Sequence, residues 1–255
     1  MAASWEEHNQ IIQIKPETKL WRYMDLAKYV WLLDTQSLYF ARSDVLEDKF
    51  EGSWTKPDSQ HRESVYQNSL SAPDMPPGVR EKAIDTLRNS RLRNRKETYI
   101  NCWHMNDNES MAMWNIYSQR NHGICIQTTL LTLKDALPAQ VMMGAVEYLD
   151  YSSDSFFTKE RKLVTPFLFK RRSFKFEKEI RCILTIPEIP GVKRPYNKIS
   201  DSGFAVNIDL RRLIQSIYIF PSSPASFSDI VKNITRRYGF DFKVTRSSID
   251  GDALY

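Results

Sequence analysis

Two glutamates one residue apart, Glu177 and Glu179, open the run Phe176-Glu177-Lys178-Glu179-Ile180-Arg181-Cys182-Ile183-Leu184-Thr185-Ile186. Polar alternation at its start gives way to a fully apolar end, the pattern of a strand that begins at a cleft and finishes in the core. Residues two apart on a strand face the same side, so both carboxylates are expected to point together, with Lys175, Lys178 and Arg181 nearby. Such a pair can bind a sugar hydroxyl and stabilise developing positive charge; the same pattern also describes a solvated edge strand. A second candidate is Arg22 in Leu20-Trp21-Arg22-Tyr23. A strand arginine between apolar neighbours needs a carboxylate or a phosphate, because burying it unpaired costs several kcal/mol. The third is the stretch from Asn108 to Ser118, where Trp114 and Tyr117, three apart, share a helix face suited to a flat ligand or to plain core packing.

The common signatures are missing. No Gly-x-Gly-x-x-Gly, Walker loop, Gly-x-Ser-x-Gly, His-Glu-x-x-His or Cys-x-x-Cys occurs, so the familiar dinucleotide folds, phosphate-loop ATPases, α/β hydrolases and zinc sites lack support. The histidines His8, His61, His104 and His122 are scattered; His104 after a strand and His122 in a turn are weighed against structural imidazoles. Cys102, Cys125 and Cys182 each sit in an apolar, strand-like run and read as buried thiols rather than a disulfide pair or a nucleophile.

With 255 residues, 42% of them hydrophobic and 26% charged, the chain can bury a real core. No stretch approaches the roughly 20 apolar residues of a membrane span, and the acidic N-terminus lacks an apolar signal core, so a cytosolic, non-membrane protein is expected. The net charge of +5 is uneven. Arg80, Lys82, Arg88, Arg91, Arg93, Arg95 and Lys96 cluster against Glu81 and Asp85, and Lys170, Arg171, Arg172, Lys175 and Lys178 form a second group. Such patches attract phosphates by field strength or serve as solvated faces.

Positioning these residues calls for a strand at Lys19–Tyr23, a helix capped by Asp25 and running through Leu33, and a strand at Ser37–Arg42. A polar loop then ends at Gly52, and a helical insertion spans about 55–97. Further strands are expected at Tyr99–His104, Gly123–Thr128, Val141–Tyr151, Phe204–Ile208, Ser216–Phe220 and Phe242–Val244. Helices are expected at Met111–Tyr117, at Leu163–Ser173, and from a Ser226–Asp229 capping box to about Tyr238. With no linker, repeat or low-complexity tract, one α+β domain over 1–255 is the economical reading.

Taken in order, Leu20-Trp21-Arg22-Tyr23, the helix from Leu26 to Leu33, Ser37 to Arg42, Phe50-Glu51-Gly52, Cys102-Trp103-His104, Met113 to Tyr117, Gly123 to Ile126 and Phe176 to Arg181 resemble the bacterial domain of unknown function 2971 family. The likeness extends to Gln215–Ile219 and Val244–Asp250 but not to the segment from Thr55 to Lys96. A looser resemblance is to the ADP-ribosyltransferase fold, which implies a mostly antiparallel split sheet and NAD as the substrate, with no metal required. On that analogy Arg22 holds the NAD phosphates or ribose, and Tyr39 or Tyr117 stacks on the nicotinamide. Tyr23 and Trp114 count with them as cofactor-binding residues. Glu179 is the catalytic carboxylate and Glu177 orients a protein or nucleic-acid acceptor. The chain lacks the Ser-Thr-Ser strand motif of that fold, which leaves its middle position open among Tyr39, Ser43 and Tyr117.

The resemblance implies a transferase or NAD glycohydrolase of the kind found in bacterial toxins and phage defence. For a nucleic-acid acceptor, Arg88, Arg91, Arg93 and Arg95 would supply the contacts. Two rivals stand beside this expectation. One is a non-enzymatic nucleic-acid or partner-binding module in which Arg22, Glu179 and Arg181 form an ion-pair network. The other is a metal-dependent nuclease built on Asp44, Asp48, Glu177 and Glu179.

Overall fold

Leu20 and Met24 turn to one side of the first strand and Trp21 and Tyr23 to the other, and all four are buried. In this computed structural model, which describes residues 13–69, 78–118, 120–156, 164–186, 197–200 and 202–251, that strand is therefore sandwiched on both faces. It is β1 (Lys19–Asp25). The Asp25 side chain accepts from the Lys28 amide at 2.8 Å and starts α1 (Leu26–Thr35), which Gln36 ends in the left-handed region at φ 46°. Then come β2 (Ser37–Arg42), α2 (Lys56–Ser69), α3 (Val79–Glu97) and β3 (Thr98–Met105). The chain continues through α4 (Met111–Tyr117), β4 (Gly123–Thr129), α5 (Leu130–Ala136), β5 (Met142–Ala145), β6 (Glu147–Leu149), β7 (Phe169–Arg171) and β8 (Glu179–Thr185). It closes with β9 (Asn197–Ser200), β10 (Gly203–Asn207), α6 (Leu210–Leu213), β11 (Ser216–Ile219), α7 (Ala225–Arg237) and β12 (Val244–Arg246).

Ten strands join in one sheet along the path β12-β11-β4-β1-β3-β2-β10-β9, with β8 and β5 added on the far side of β3. Every pairing in it is antiparallel except β11 with β12. The expected α+β, mostly antiparallel architecture is thus what forms. One edge of β3 is taken over its length by β8, from Thr98 opposite Thr185 to His104 opposite Glu179. Its other edge is shared: β1 pairs at Met105 and His104, and β2 pairs at Ile100 and Tyr99. Between them Asn101, Cys102 and Trp103 have no strand partner on that edge, so the sheet forks.

Side chains bridge the open stretch. Arg22 Nη1 donates to the Cys102 carbonyl at 2.7 Å, and Asn101 Nδ2 donates to the Tyr39 carbonyl at 2.8 Å. The main core lies on the face covered by α1, α5, α6 and α7, where Tyr29, Leu33, Leu133, Leu213 and Val231 are buried together. On the other face α4 covers Trp21, Tyr23 and Cys125, and the 164–168 segment covers Ile100 and Ile183. Among the described residues no helix is long and apolar enough to cross a membrane.

Three expected elements differ. The 163–173 helix is instead a single 3₁₀ turn at Thr165–Leu168 followed by β7, with Leu163 outside the described residues. Phe167, Leu168 and Phe169 are consecutive and all essentially unexposed, and a surface helix would turn at least one of them to solvent. The 141–151 strand divides because β5 pairs with β8 while β6 leaves to pair with β7 in a separate parallel ribbon. Helix α7 begins after Pro224 with no side-chain cap, so the Ser226–Asp229 box is not formed. The site-bearing strand also starts later than expected. Residues Arg172–Glu177 form a 3₁₀ segment, Lys178 sits in the left-handed region at φ 41°, and only Glu179 enters β8.

Gly52 fixes the loop after β2 by adopting φ +66°, and a Cβ there would run into the buried Phe167 ring. Both the left-handed backbone and the ring exclude a larger residue. Gly52→Ala is expected to cost about 2–4 kcal/mol, read as a fall in melting temperature of roughly 5–10 °C.

Candidate active site

Under the fork lies a cavity of about 630 Å³ whose wall includes Arg22, Trp31, Tyr39, Cys102, His104, Tyr117, Lys170, Glu177, Glu179 and Arg181. That volume falls among small-molecule sites, which run roughly 300–1,000 Å³. Strand β1 supplies Arg22, β2 supplies Tyr39, β3 supplies Cys102 and His104, and the 3₁₀ segment with β8 supplies the acids. The fork is what lets side chains from strands on either side of it reach one space.

The acids do converge, though not by strand alternation. Glu177 lies before β8, and the left-handed turn at Lys178 swings its carboxyl round to the one on Glu179. Lys170 Nζ donates to Glu177 Oε2 and, at 3.1 Å, to Glu179 Oε1. Arg181, 0% exposed, donates from Nε to Glu179 Oε2 at 2.5 Å and from its two terminal nitrogens to Glu51 at 2.7 and 2.6 Å. Tyr117 donates its hydroxyl to Glu177 Oε1 at 2.6 Å. Tyr148 accepts from the Glu179 amide at 2.9 Å.

Three carboxyls thus face two cations, and the imbalance sets the protonation. Burial, the hydrogen bond between the two carboxyls and the repulsion of Glu179 push Glu177 up to about 7. Burial alone would raise Glu179 too, yet Arg181 and then Lys170 hold it down at about 2. With the proton on Glu177 the cluster of Glu51, Glu179, Lys170 and Arg181 is neutral. Two carboxyls driven apart in this way differ in their readiness to hold a proton near neutral pH.

Arg22 stands apart from this network. Its described hydrogen bond runs to the Cys102 carbonyl, its guanidinium lies over the Trp103 ring at 5.9 Å, and no carboxylate pairs with it among the described residues. Burial lowers its pKa, but a guanidinium remains charged at neutral pH. A cation of this kind on a cavity wall has the chemistry to pair with an anion.

The structure sorts the sequence-derived candidates. Arg22, Tyr23, Tyr39, Tyr117, Glu177 and Glu179 all line the cavity. The Tyr23 hydroxyl accepts from the Ser110 amide at 2.9 Å, so that residue offers the cavity its ring rather than its oxygen. Trp114 does not belong to the wall: it is 0% exposed, with its ring edge-on to Tyr23 and Phe220. Its helix neighbour Tyr117, 39% exposed, is the one that reaches the site, because three residues turn a helix by about 300° and leave the two side chains on divergent lines. Ser43 is buried, donates to the Arg95 carbonyl and is not part of the cavity wall, whereas Tyr39 and Tyr117 are. The Cys102 thiol is pushed up to about 12 by burial and is no nucleophile.

Helix α3 does not present its arginines as one face. Arg93 is exposed, Arg91 and Arg95 are half-buried, and Arg91 lies over the Trp54 ring at 5.8 Å. The Arg88 side chain lies outside the described residues. The nuclease set does not assemble, since Asp44 is bound by Arg42 and Asp48 by Arg171. Among the described residues no group of three or more His, Cys, Asp or Glu is arranged to hold a metal ion. The ion-pair network of the binding-module alternative forms between Glu179 and Arg181 but leaves Arg22 out.

Sequence reading named Lys170 only within a basic cluster and Glu51 only within the family resemblance, and gave neither a place in the site. The signal for Lys170 is a lysine directly after Phe167-Leu168-Phe169, where a buried ammonium requires carboxylates. Glu51 carries no pattern of its own beyond preceding a glycine. No protein-family model matches the chain, and no curated protein matches it.

Proposed function

We propose that the protein is an ADP-ribosyltransferase-like enzyme that cleaves NAD in the forked cavity and passes ADP-ribose to a protein or nucleic-acid acceptor, or to water. The observation that carries this is one cavity with, on one side, a guanidinium that no carboxylate pairs among the described residues and, on the other, two adjoining carboxyls, Glu177 and Glu179, bridged by Lys170. Arg22 binds the pyrophosphate through its fork of donors. Tyr39, with Trp31 edge-on at 5.9 Å, and the Tyr117 ring hold the flat groups.

In the reaction the bond between ribose C1′ and the nicotinamide nitrogen breaks, and its electron pair stays on that nitrogen. The pyridinium becomes neutral nicotinamide, so no acid is needed to release it. Glu179, ionised throughout the working range, binds the ribose hydroxyl and stabilises the oxocarbenium-like charge at C1′. The acceptor atom bonds to C1′, and its proton passes to the Glu177 carboxylate.

This division of labour fixes a pH dependence. Glu177 accepts a proton only when ionised, and it ionises at about 7. Acceptor modification is therefore expected to rise with pH from 6 to 8 and to level off above. In Glu177→Gln the rate is lower, by roughly 10²-fold, and flat across that range. An unchanged profile in the variant overturns the role of Glu177. The reading as a whole is tested by nicotinamide release from NAD, with total RNA, DNA or cell lysate as acceptor sources. The absence of both nicotinamide release and an NAD-induced rise in melting temperature would overturn it and favour the binding module. For that module, binding to random nucleic acid would fall steeply with salt.

A further inference from the structure

We propose that His104 selects the leaving group: its Nε2 accepts a hydrogen bond from the carboxamide N–H of bound nicotinamide. This deepens the reading of the cavity as an NAD site and rests on it.

His104 is 3% exposed and forms part of the cavity wall. Its Nδ1 lies 2.6 Å from the Glu177 carbonyl oxygen. A carbonyl only accepts, so Nδ1 carries the proton, and in the neutral ring Nε2 is a bare lone pair. Burial favours that neutral ring. Among the described residues Nε2 has no partner. A buried acceptor that no protein group satisfies is costly, and a ligand donor that meets it recovers that cost.

Its position says which donor it awaits. His104 stands opposite Glu179 in the β3–β8 ladder, which sets the two Cβ atoms about 4.5–5.5 Å apart. The Tyr23 ring closes its other side, with centroids 6.2 Å away in an edge-on arrangement. Glu179 is the charged acceptor and takes the ribose hydroxyl. The remaining N–H donor next to the scissile bond is the carboxamide on the nicotinamide ring.

The test compares kcat/KM for NAD with that for the 3-acetylpyridine analogue of NAD, which keeps the carbonyl but has a methyl in place of the amide nitrogen. Wild type is expected to prefer NAD by roughly 10- to 100-fold. His104→Asn can still donate to the Glu177 carbonyl but offers no acceptor where Nε2 stood, so the preference collapses toward one while the melting temperature holds. His104→Gln, with an acceptor near the Nε2 position, restores part of it. Equal use of both substrates by wild type, or retention of the preference by His104→Asn, overturns the assignment and leaves the NAD reading standing. The wild-type ratio needs no variant, so a substitution that fails to fold does not block the decision. If wild type neither cleaves NAD nor is stabilised by it, the underlying reading falls and this one with it.

Discussion

Arg181→Met is expected to lower the free energy of unfolding by about 3–5 kcal/mol. The guanidinium makes four bonds in a space that water does not reach: two to Glu51, one to Glu179 and one, at 2.7 Å, to the Phe167 carbonyl. Removing it leaves Glu51 and Glu179 buried with Lys170 as their remaining cation, and an uncompensated buried charge is what makes such losses large. Arg181→Lys keeps the charge but loses the planar fork, so it recovers only part of the loss. Urea unfolding measures both, as a shift in midpoint at constant slope. Arg212→Met is the control, because that side chain is 83% exposed and its ion pair is with the surface residue Asp209; its effect should stay within about 0.5 kcal/mol. A midpoint for Arg181→Met equal to wild type would mean that the charge cluster does not hold the site together.

Glu179→Gln is expected to slow nicotinamide release by about 10²- to 10³-fold, the usual cost of removing a preorganised charge from a transition state. Its stability should change much less, for a reason specific to this cluster. Three carboxyls face two cations, and the surplus negative charge is part of what raises Glu177 to about 7. Once position 179 is neutral, burial still raises Glu177 but the repulsion of a second carboxylate is gone, which favours an ionised Glu177 beside Lys170. The variant therefore separates chemistry from folding in a way that Arg181→Met does not. Single-turnover release of nicotinamide, measured beside the melting temperature, gives both numbers. Release within tenfold of wild type would remove Glu179 from its catalytic role.

The frame of the fold was legible because its local signals agreed with its packing. Asp25 before an apolar 3–4 repeat marks the α1 start, Ser37–Arg42 is bounded as read, and Ser110 caps the helix ending at Tyr117. What failed was the step from element to side-chain direction. Glu177 and Glu179 were brought together by strand parity, whereas the chain does it with a left-handed residue at Lys178, a conformation that a lysine does not advertise. Trp114 and Tyr117 share spacing but not destination. The partners of the acids were the least legible. Glu51 comes from 130 positions away to meet Arg181, and no periodicity reports a contact of that range. Lys170 was hidden inside an apolar run that resembles a helix until its complete burial is known.

The fork in the sheet carries one more consequence. A strand with an open flank is ordinarily a hazard, because it offers its main chain to any extended segment that drifts past. Here the open flank of β3, from Asn101 to Trp103, is turned inward and roofed by its own neighbours. The molecule thus keeps a length of β3 beside its cavity that no strand pairs on that flank among the described residues, yet with the Cys102 carbonyl already held by Arg22 it is a poor template for a passing strand.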